Sequence, residues 1–235
     1  MKPVLLTFVV SFLPTASGYM GAVMGKLTTC DNAKTNLNRD WDSKDFSVFT
    51  CSSSIQYAVQ KDIDPVVFDL VLQNSTFNPK KDQVMHRCMD ESIEYEDRIP
   101  VRGDHRPNWA RFGEYLYVPV QRWLHNLEHG AIVLLYHPCA DVNELNKLRT
   151  LVTSCLYRHV ITPYIKLTPE RPLALVGWGS RMEMNAVEEP KVVEFMKKYA
   201  NRAPEEITRD GKYDEYLVQE AKWISEKDET ICPDH

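Results

Sequence analysis

One stretch of the chain, residues 119–138, constrains the fold more than any other. Its first apolar side chains recur at i, i+3, i+4 and i+7, in the order Val120, Trp123, Leu124 and Leu127. This spacing predicts a helix of about three turns that begins at Pro119 and ends before Gly130, because proline suits a helix start and glycine the position just past its end. The apolar, β-branched run at 131–136 then predicts a buried strand.

The face of this helix opposite the apolar side chains carries His125, Glu128 and His129. Two histidines at i and i+4 can bind one metal ion from one helix face. A stable site needs a further ligand from elsewhere, and we expect His105, in the loop before the helix, to supply it. Histidine and carboxylate ligands suit zinc or copper. The sequence therefore predicts a transition-metal site formed by His105, His125, Glu128 and His129.

A methionine near such a site would favour copper, because a thioether is a soft ligand. The candidates in this chain are Met85, Met89, Met182 and Met184. The alternative is that these methionines fill gaps in the core.

Two other interpretations of the same helix stay open. The histidines could be surface or hydrogen-bonded residues on a solvated helix face, with no ligand role. The string HNLEH at 125–129 also matches the HxxEH pattern of inverted zinc proteases, in which two histidines hold zinc and the glutamate is the base. That protease fold takes its third ligand from a later helix, whereas a strand is predicted here after Gly130. A metallohydrolase is therefore the least favoured function, and no catalytic residue is assigned.

The N-terminus has the layout of a secretory signal peptide. Lys2 precedes an apolar run at 3–13, and small residues follow up to Gly18. We expect residues 1–18 to be removed and the mature protein to be secreted, or held in the lumen of the secretory pathway. A retained signal anchor is the alternative. No later segment reaches the about 20 apolar residues of a membrane helix, so no transmembrane span is expected after signal removal.

The charge balance narrows the classes of partner. The chain carries 28 basic and 33 acidic residues, a net charge of -5. Nucleic-acid binding normally needs a basic surface that neutralises phosphates. We therefore expect no nucleic-acid partner, while an unknown protein partner stays open.

The cysteines predict an oxidising compartment. They are even in number and form no CxxC pair, at Cys30, Cys51, Cys88, Cys139, Cys155 and Cys232. Disulfides are therefore expected, with the connectivity open. One pair, Cys139 with Cys155, is disfavoured because a helix between them would hold them roughly 18 Å or more apart. The sequon at Asn74 predicts N-glycosylation of a surface loop.

The other segments alternate between strand and helix patterns. Strands are predicted at 113–118, 131–136, 159–165 and 173–178, and helices at 141–155, 190–200 and 213–225. Pro163 indicates that its strand lies at a sheet edge. Residues 66–72 fit either a buried strand or a short helix. The chain is thus expected to be α+β, a single disulfide-stapled domain with a mixed sheet packed with three or four helices.

This pattern also suggests how the chain is divided. We expect a signal peptide at 1–18, an N-terminal extension with disulfide anchors at 19–97 and a core α+β domain carrying the LEHG segment at 98–205. A C-terminal helix and tail should occupy 206–235.

Several residues occur in a familiar order over roughly 98–205. They are Pro100, Gly103, His105, Trp109 and Gly113, then WLHNLEHGAIVLLYHPC at 123–139 and LALVGWG at 173–179. This order resembles the tumour protein p53-inducible protein 13 family and a related uncharacterised domain of bacterial secreted or membrane-anchored proteins. The resemblance implies a single-pass membrane protein linked to negative regulation of cell growth, with no established enzymatic activity. The predicted lack of a second hydrophobic span departs from that pattern.

The resemblance supplies no set of ligands, so the metal hypothesis depends on residue chemistry alone. The favoured function is a secreted extracellular domain that binds zinc or copper through a His/Glu site. The alternative is a structural or protein-interaction module without a metal.

Overall fold

The computed structural model describes residues 30–53 and 56–235. The predicted signal peptide at 1–18 lies outside these residues. The described strands are β1 Val66–Asp69, β2 Gly113–Tyr115, β3 Ile132–Tyr136, β4 His159–Pro163, β5 Leu173–Gly177, β6 Ser180–Met184 and β7 Leu217–Glu220. They form one seven-stranded sheet in the order β1-β6-β5-β3-β4-β2-β7. Strand β4 runs parallel to both β3 and β2, and the remaining neighbours are antiparallel.

Helices accompany this sheet. They are α1 Leu70–Gln73, α2 Val120–Glu128, α3 Val142–Cys155 and α4 Glu189–Tyr199, with short 3-10 turns at Leu37–Arg39, Phe46–Val48 and Glu226–Asp228. None of the helices in the described ranges is long and apolar enough to cross a bilayer. The mixed sheet, the helices and the disulfides confirm the predicted α+β class.

Strand β3 separates two apolar layers. Ile132 and Leu134 pack into the layer that contains α3 and α4. Val133 and Leu135 point the other way, into the layer that contains the apolar side of α2. Because both faces of β3 are covered, its sequence is a continuous apolar run rather than an alternating one. Helix α2 is therefore held on the opposite face of the sheet from α3 and α4.

The boundaries of α2 agree with the sequence prediction. Pro119 is its N-cap, in an extended conformation, and the helix ends at Glu128. Gly130 follows with φ +81°, and a Cβ there would lie 2.9 Å from the Cα of Asn201. Glycine is thus required both by the left-handed turn and by the close passage of the 201 backbone. This turn directs the chain straight into β3.

Helix α3 begins with the predicted capping arrangement. The Asp141 carboxylate accepts hydrogen bonds from the backbone N–H groups of Asn143 and Glu144. Two of the unpaired donors at the helix start are thereby satisfied.

We expect Asp141→Ala to lower the free energy of unfolding by about 1 kcal/mol, because the cap is lost while the packing is unchanged. Urea unfolding followed by circular dichroism would measure the change. Asn143→Ala is the control, since Asn143 is exposed in the first turn and alanine favours the helix. Equal loss in the two variants would contradict a capping role.

The predicted edge position of the strand containing Pro163 is wrong, because β4 lies between β3 and β2. The N–H of Tyr164 donates to the carbonyl of Tyr136 in β3. Alternate residues of a strand point their N–H groups in opposite directions, so the N–H that Pro163 lacks would face β2. Pairing with β2 has already ended at Ile161. The proline therefore removes no hydrogen bond from the pairing of β4 with its neighbouring strands.

The predicted C-terminal helix at 213–225 is also wrong. The segment instead contains β7, which pairs antiparallel with β2 from Gly113↔Glu220 onwards. Tyr216 has φ +60°, which is incompatible with a continuous helix. A Cβ at Gly113 would meet the carbonyl oxygen of Gln219 at 2.2 Å, so glycine permits the strands to approach. Pairing with the free edge of β2 has overridden the local helical spacing.

The ambiguous segment at 66–72 contains both candidate structures. Strand β1 pairs with β6, and α1 follows immediately. Asp69 separates them, because its carboxylate accepts from the N–H of Val71 and caps the short helix.

The predicted oxidation of the cysteines is confirmed. The disulfides are Cys30–Cys88, Cys51–Cys139 and Cys155–Cys232. The pair Cys139 and Cys155, which flanks α3, is not joined, as predicted. The bridges fasten the N-terminal segment and the C-terminal tail to the sheet-bearing core.

Candidate metal centre

Three histidines and one glutamate from separate parts of the chain converge on one buried point. The donor atoms of His86, His105, His125 and Glu128 all lie within 4.8 Å of one another, and all four residues are buried. Glu128 Oε2 lies 3.0 Å from His105 Nε2 and 3.2 Å from His86 Nε2. His125 Nε2 is 3.8 Å from the same oxygen. We call these four residues the His/Glu cluster.

Two irregular segments bring His86 and His105 side by side. The two residues form a parallel β-bridge. The N–H of His105 donates to the carbonyl of Met85, and the N–H of Arg87 donates to the carbonyl of His105. Asp104 adds side-chain bonds to the N–H of Met85 and to Arg87 Nε. These bonds fix the spacing of the two imidazoles, since the backbone of both segments is paired.

A buried arginine also stabilises the segments that carry His86 and His105. Arg106 is fully buried, and its guanidinium donates to the carbonyls of Arg87, Cys88 and Glu91 and to the Asp40 carboxylate. Because those carbonyls follow His86 directly, Arg106 ties the His86 segment to the segment that carries His105.

Helix α2 supplies the other two donors. His125 and Glu128 are three residues apart and therefore lie on one face of the helix. That face points toward the bridge of His86 and His105, while Trp123, Leu124 and Leu127 pack in the apolar layer. Both sides of α2 are thus buried, one against apolar residues and one around the cluster.

Hydrogen bonds to carbonyls orient two of the imidazoles. His105 Nδ1 lies 2.8 Å from the carbonyl oxygen of Gly103, and His125 Nδ1 lies 2.6 Å from that of Arg106. A carbonyl only accepts, so Nδ1 carries the hydrogen in each ring. In the neutral ring, Nε2 then presents a lone pair toward Glu128. Metal-binding histidines are oriented by this kind of outer contact.

The protonation of the cluster also suits a cation. Burial, followed by the neighbouring His105, His129 and His86, lowers the pKa of His125 well below its ordinary value, so this ring is neutral at pH 7. Burial raises the pKa of Glu128, but His105 and His86 in their protonated forms outweigh burial and hold this pKa well below its usual range. A bound cation would take the place of those ring protons. A neutral imidazole and an ionised carboxylate are the forms that ligate metals.

The distances from Glu128 to the three imidazoles are close to those between the ligands of a small ion. Tetrahedral zinc with bonds of about 2.0–2.1 Å places its donors about 3.3 Å apart. Glu128 Oε2 lies 3.0, 3.2 and 3.8 Å from the three Nε2 atoms. An ion between these atoms would also separate the lone pairs that otherwise face each other.

The predicted site residues divide into two groups. His105, His125 and Glu128 belong to the cluster. His129 lies beside it, with its ring centroid 4.6 Å from that of His125, and its Nδ1 is 3.5 Å from Glu205 Oε2. Burial lowers the pKa of His129 to about 3. The arrangement differs from that of inverted zinc proteases, because Glu128 contacts the other donors directly and His129 stands outside them.

The predicted solvent exposure in the alternative interpretation of this helix face is wrong. His125 and His129 are both 0 % exposed. The cause is tertiary: the segment that carries His86 and His105 covers one part of this face, and Glu205 lies against another part.

The methionines have packing or polar contacts of their own. Met182 and Met184 are buried in the apolar layer beside α3 and α4. Met89 Sδ accepts a hydrogen bond from Arg122. Met85 contributes its backbone carbonyl to His105 and leaves its side chain 36 % exposed. These contacts agree with the core-filling alternative for Met182 and Met184.

Sequence reasoning missed His86. This residue lies 39 positions before His125 in a charged loop with no periodic pattern, so no local spacing relates the two. The available signal was the rarity of histidine, with seven in the chain, and its position two residues before Cys88. A disulfide-bonded loop is a fixed frame from which a side chain can reach a site.

Comparison with known proteins places the cluster inside one family match. The family described as "Protein of unknown function (DUF3105)" matches residues 86–211, a span that begins at His86 and contains all four cluster residues. A rat protein, Tumor protein p53-inducible protein 13, is 31 % identical over 67 residues. That match covers 28 % of this chain and 17 % of the rat protein. No solved structure matches significantly.

Proposed function

The chain belongs to the DUF3105 family of proteins of unknown function, and we propose that it binds one transition-metal ion through His86, His105, His125 and Glu128. One observation carries the proposal. Three buried imidazoles face a single carboxylate oxygen, and two of them are fixed with Nδ1 on a backbone carbonyl and Nε2 toward that oxygen. Without a proton or a cation between them, these lone pairs would repel each other.

Zinc is the favoured ion. Three imidazoles and one carboxylate form a nitrogen and oxygen set that suits tetrahedral zinc, whereas copper(II) prefers tetragonal geometry. The cluster is closed, since its members are buried and four donors complete a tetrahedral shell. A catalytic zinc keeps one position for water or substrate, so a metal-holding role is favoured over a metallohydrolase.

An extracellular location fits this proposal. The three disulfides are typical of oxidising compartments. Asn74 is exposed just after α1, where an oligosaccharide could be attached. Growth control is not part of the proposal, because the match to the rat relative covers only 17 % of that protein.

Elemental analysis of the purified, disulfide-bonded chain tests the proposal. We expect about one zinc ion per chain, because a closed set of four donors holds one ion. A chelator should remove the ion, and added zinc should restore the same stoichiometry. Protein that holds less than about one-tenth equivalent, and takes up neither zinc nor copper(II), would support the structural or protein-interaction module instead.

A further inference from the structure

Three atoms with metal-ligating chemistry lie beside the His/Glu cluster without a hydrogen-bond partner. Within the described ranges, they are both ring nitrogens of His129 and Oε2 of Glu205. His129 Nδ1 faces Glu205 Oε2 at 3.5 Å. Buried polar atoms are normally paired, so an unpaired set in one place requires an explanation.

This pair touches the cluster at two points. The ring centroids of His129 and His125 are 4.6 Å apart. The backbone N–H of Glu205 donates to the carbonyl of Glu128 at 3.1 Å. Trp109 packs its ring against both histidines, at 4.3 Å from His129 and 4.9 Å from His125. The Trp109 ring therefore covers one side of the two imidazoles.

Glu205 is the most exposed member of this group. Its side chain is 25 % exposed, whereas that of His129 is 0 % exposed. In the cluster, Glu128 is 7 % exposed and His105 is 0 % exposed. Glu205 is thus a partly exposed carboxylate beside the buried imidazole of His129, which lies next to the cluster.

We propose that Glu205 and His129 form the entrance by which the metal ion reaches and leaves the His/Glu cluster. The inference rests on the proposed metal function. The carboxylate of Glu205 attracts a hydrated divalent cation from solvent. The free nitrogen of His129 ligates the ion as its water is removed, before the ion passes to Glu128 and His125. An entrance of this kind changes how fast the ion binds without changing how tightly it is held.

Stopped-flow loading of the zinc-free full chain with zinc chloride tests the entrance, using Glu205→Gln. Glutamine preserves the size of the side chain and the backbone bond to Glu128. We expect loading to slow roughly tenfold, because the carboxylate that holds the ion during entry is lost. Release to excess chelator should slow by about the same factor, because an ion that enters and leaves by one path crosses the same barrier in both directions. The zinc Kd should then stay within about twofold of that of the unchanged chain.

Glu206→Gln is the matched control, since Glu206 is the next residue, is 58 % exposed and pairs with Lys80. The rates of zinc loading and release in Glu206→Gln should equal those of the unchanged chain. Unaltered rates in Glu205→Gln would overturn the entrance, as would a weaker Kd caused by faster release, which would make Glu205 a ligand. Zinc binding by the unchanged chain is measured before any variant is tested. If the unchanged chain binds no zinc, the proposed metal function is wrong, independently of the entrance.

Discussion

We expect replacement of His125 with alanine to reduce the proposed bound zinc from about one ion per chain to below about one-tenth, and to weaken zinc affinity at least roughly 100-fold. The reason is that a closed four-donor site loses a ligand from its rigid helical side. The remaining donors are His86, His105 and Glu128. These three ligands cannot complete a tetrahedral shell alone. Elemental analysis and competition with a chromophoric chelator would measure both changes.

Two comparisons make this result specific to the cluster. His137→Ala should retain full zinc, because His137 lies beyond β3, where its ring contacts the Tyr57 hydroxyl. His129→Gln should also retain zinc at equilibrium, because His129 stands outside the four donors. If His125→Ala fails to fold, His125→Gln provides the test with a side chain of similar size. Full zinc in a folded His125 variant would overturn the assignment.

Removing the Cys51–Cys139 disulfide by a double change to serine lowers the free energy of unfolding by roughly 4 to 5 kcal/mol. The bridge closes a loop with a sequence separation of 88 residues, so its loss frees many conformations of the unfolded chain. A total stability of about 5–15 kcal/mol is typical of domains, so between about a third and nearly all of the margin would be lost. Urea unfolding under non-reducing conditions would measure the change.

The Cys30–Cys88 bridge provides the comparison. Its separation of 58 residues predicts a loss only about 0.4 kcal/mol smaller. Cys88 lies two residues after His86, so this second double variant should also bind zinc more weakly, whereas the Cys51–Cys139 variant should not. A loss below about 1 kcal/mol for Cys51–Cys139 would show that the unfolded chain is not constrained in the expected way.

Local sequence patterns determined the elements that bury one clear face. Helix α2 was predicted from its apolar spacing, Pro119 and Gly130, and β3 from the β-branched run that follows. The Asp141 cap predicted the start of α3. Each pattern is a short-range property, because helical spacing and capping involve residues at most a few positions apart. Two cluster residues, His125 and Glu128, came from the same local spacing, and His105 was expected as the ligand from the loop before the helix.

Only the tertiary structure added His86 to the site and showed how the separate segments meet. His86 and His105 meet because their backbones pair across a bridge, and no spacing in the sequence encodes that pairing. Tertiary pairing also turned the predicted C-terminal helix into β7, since the free edge of β2 offered hydrogen bonds that outweighed local helical spacing. Sequence fixes which side chains are available, whereas the long-range pairing of the backbone decides which of them converge. For this chain, that pairing replaced the predicted His129 with His86 as the third histidine of the cluster.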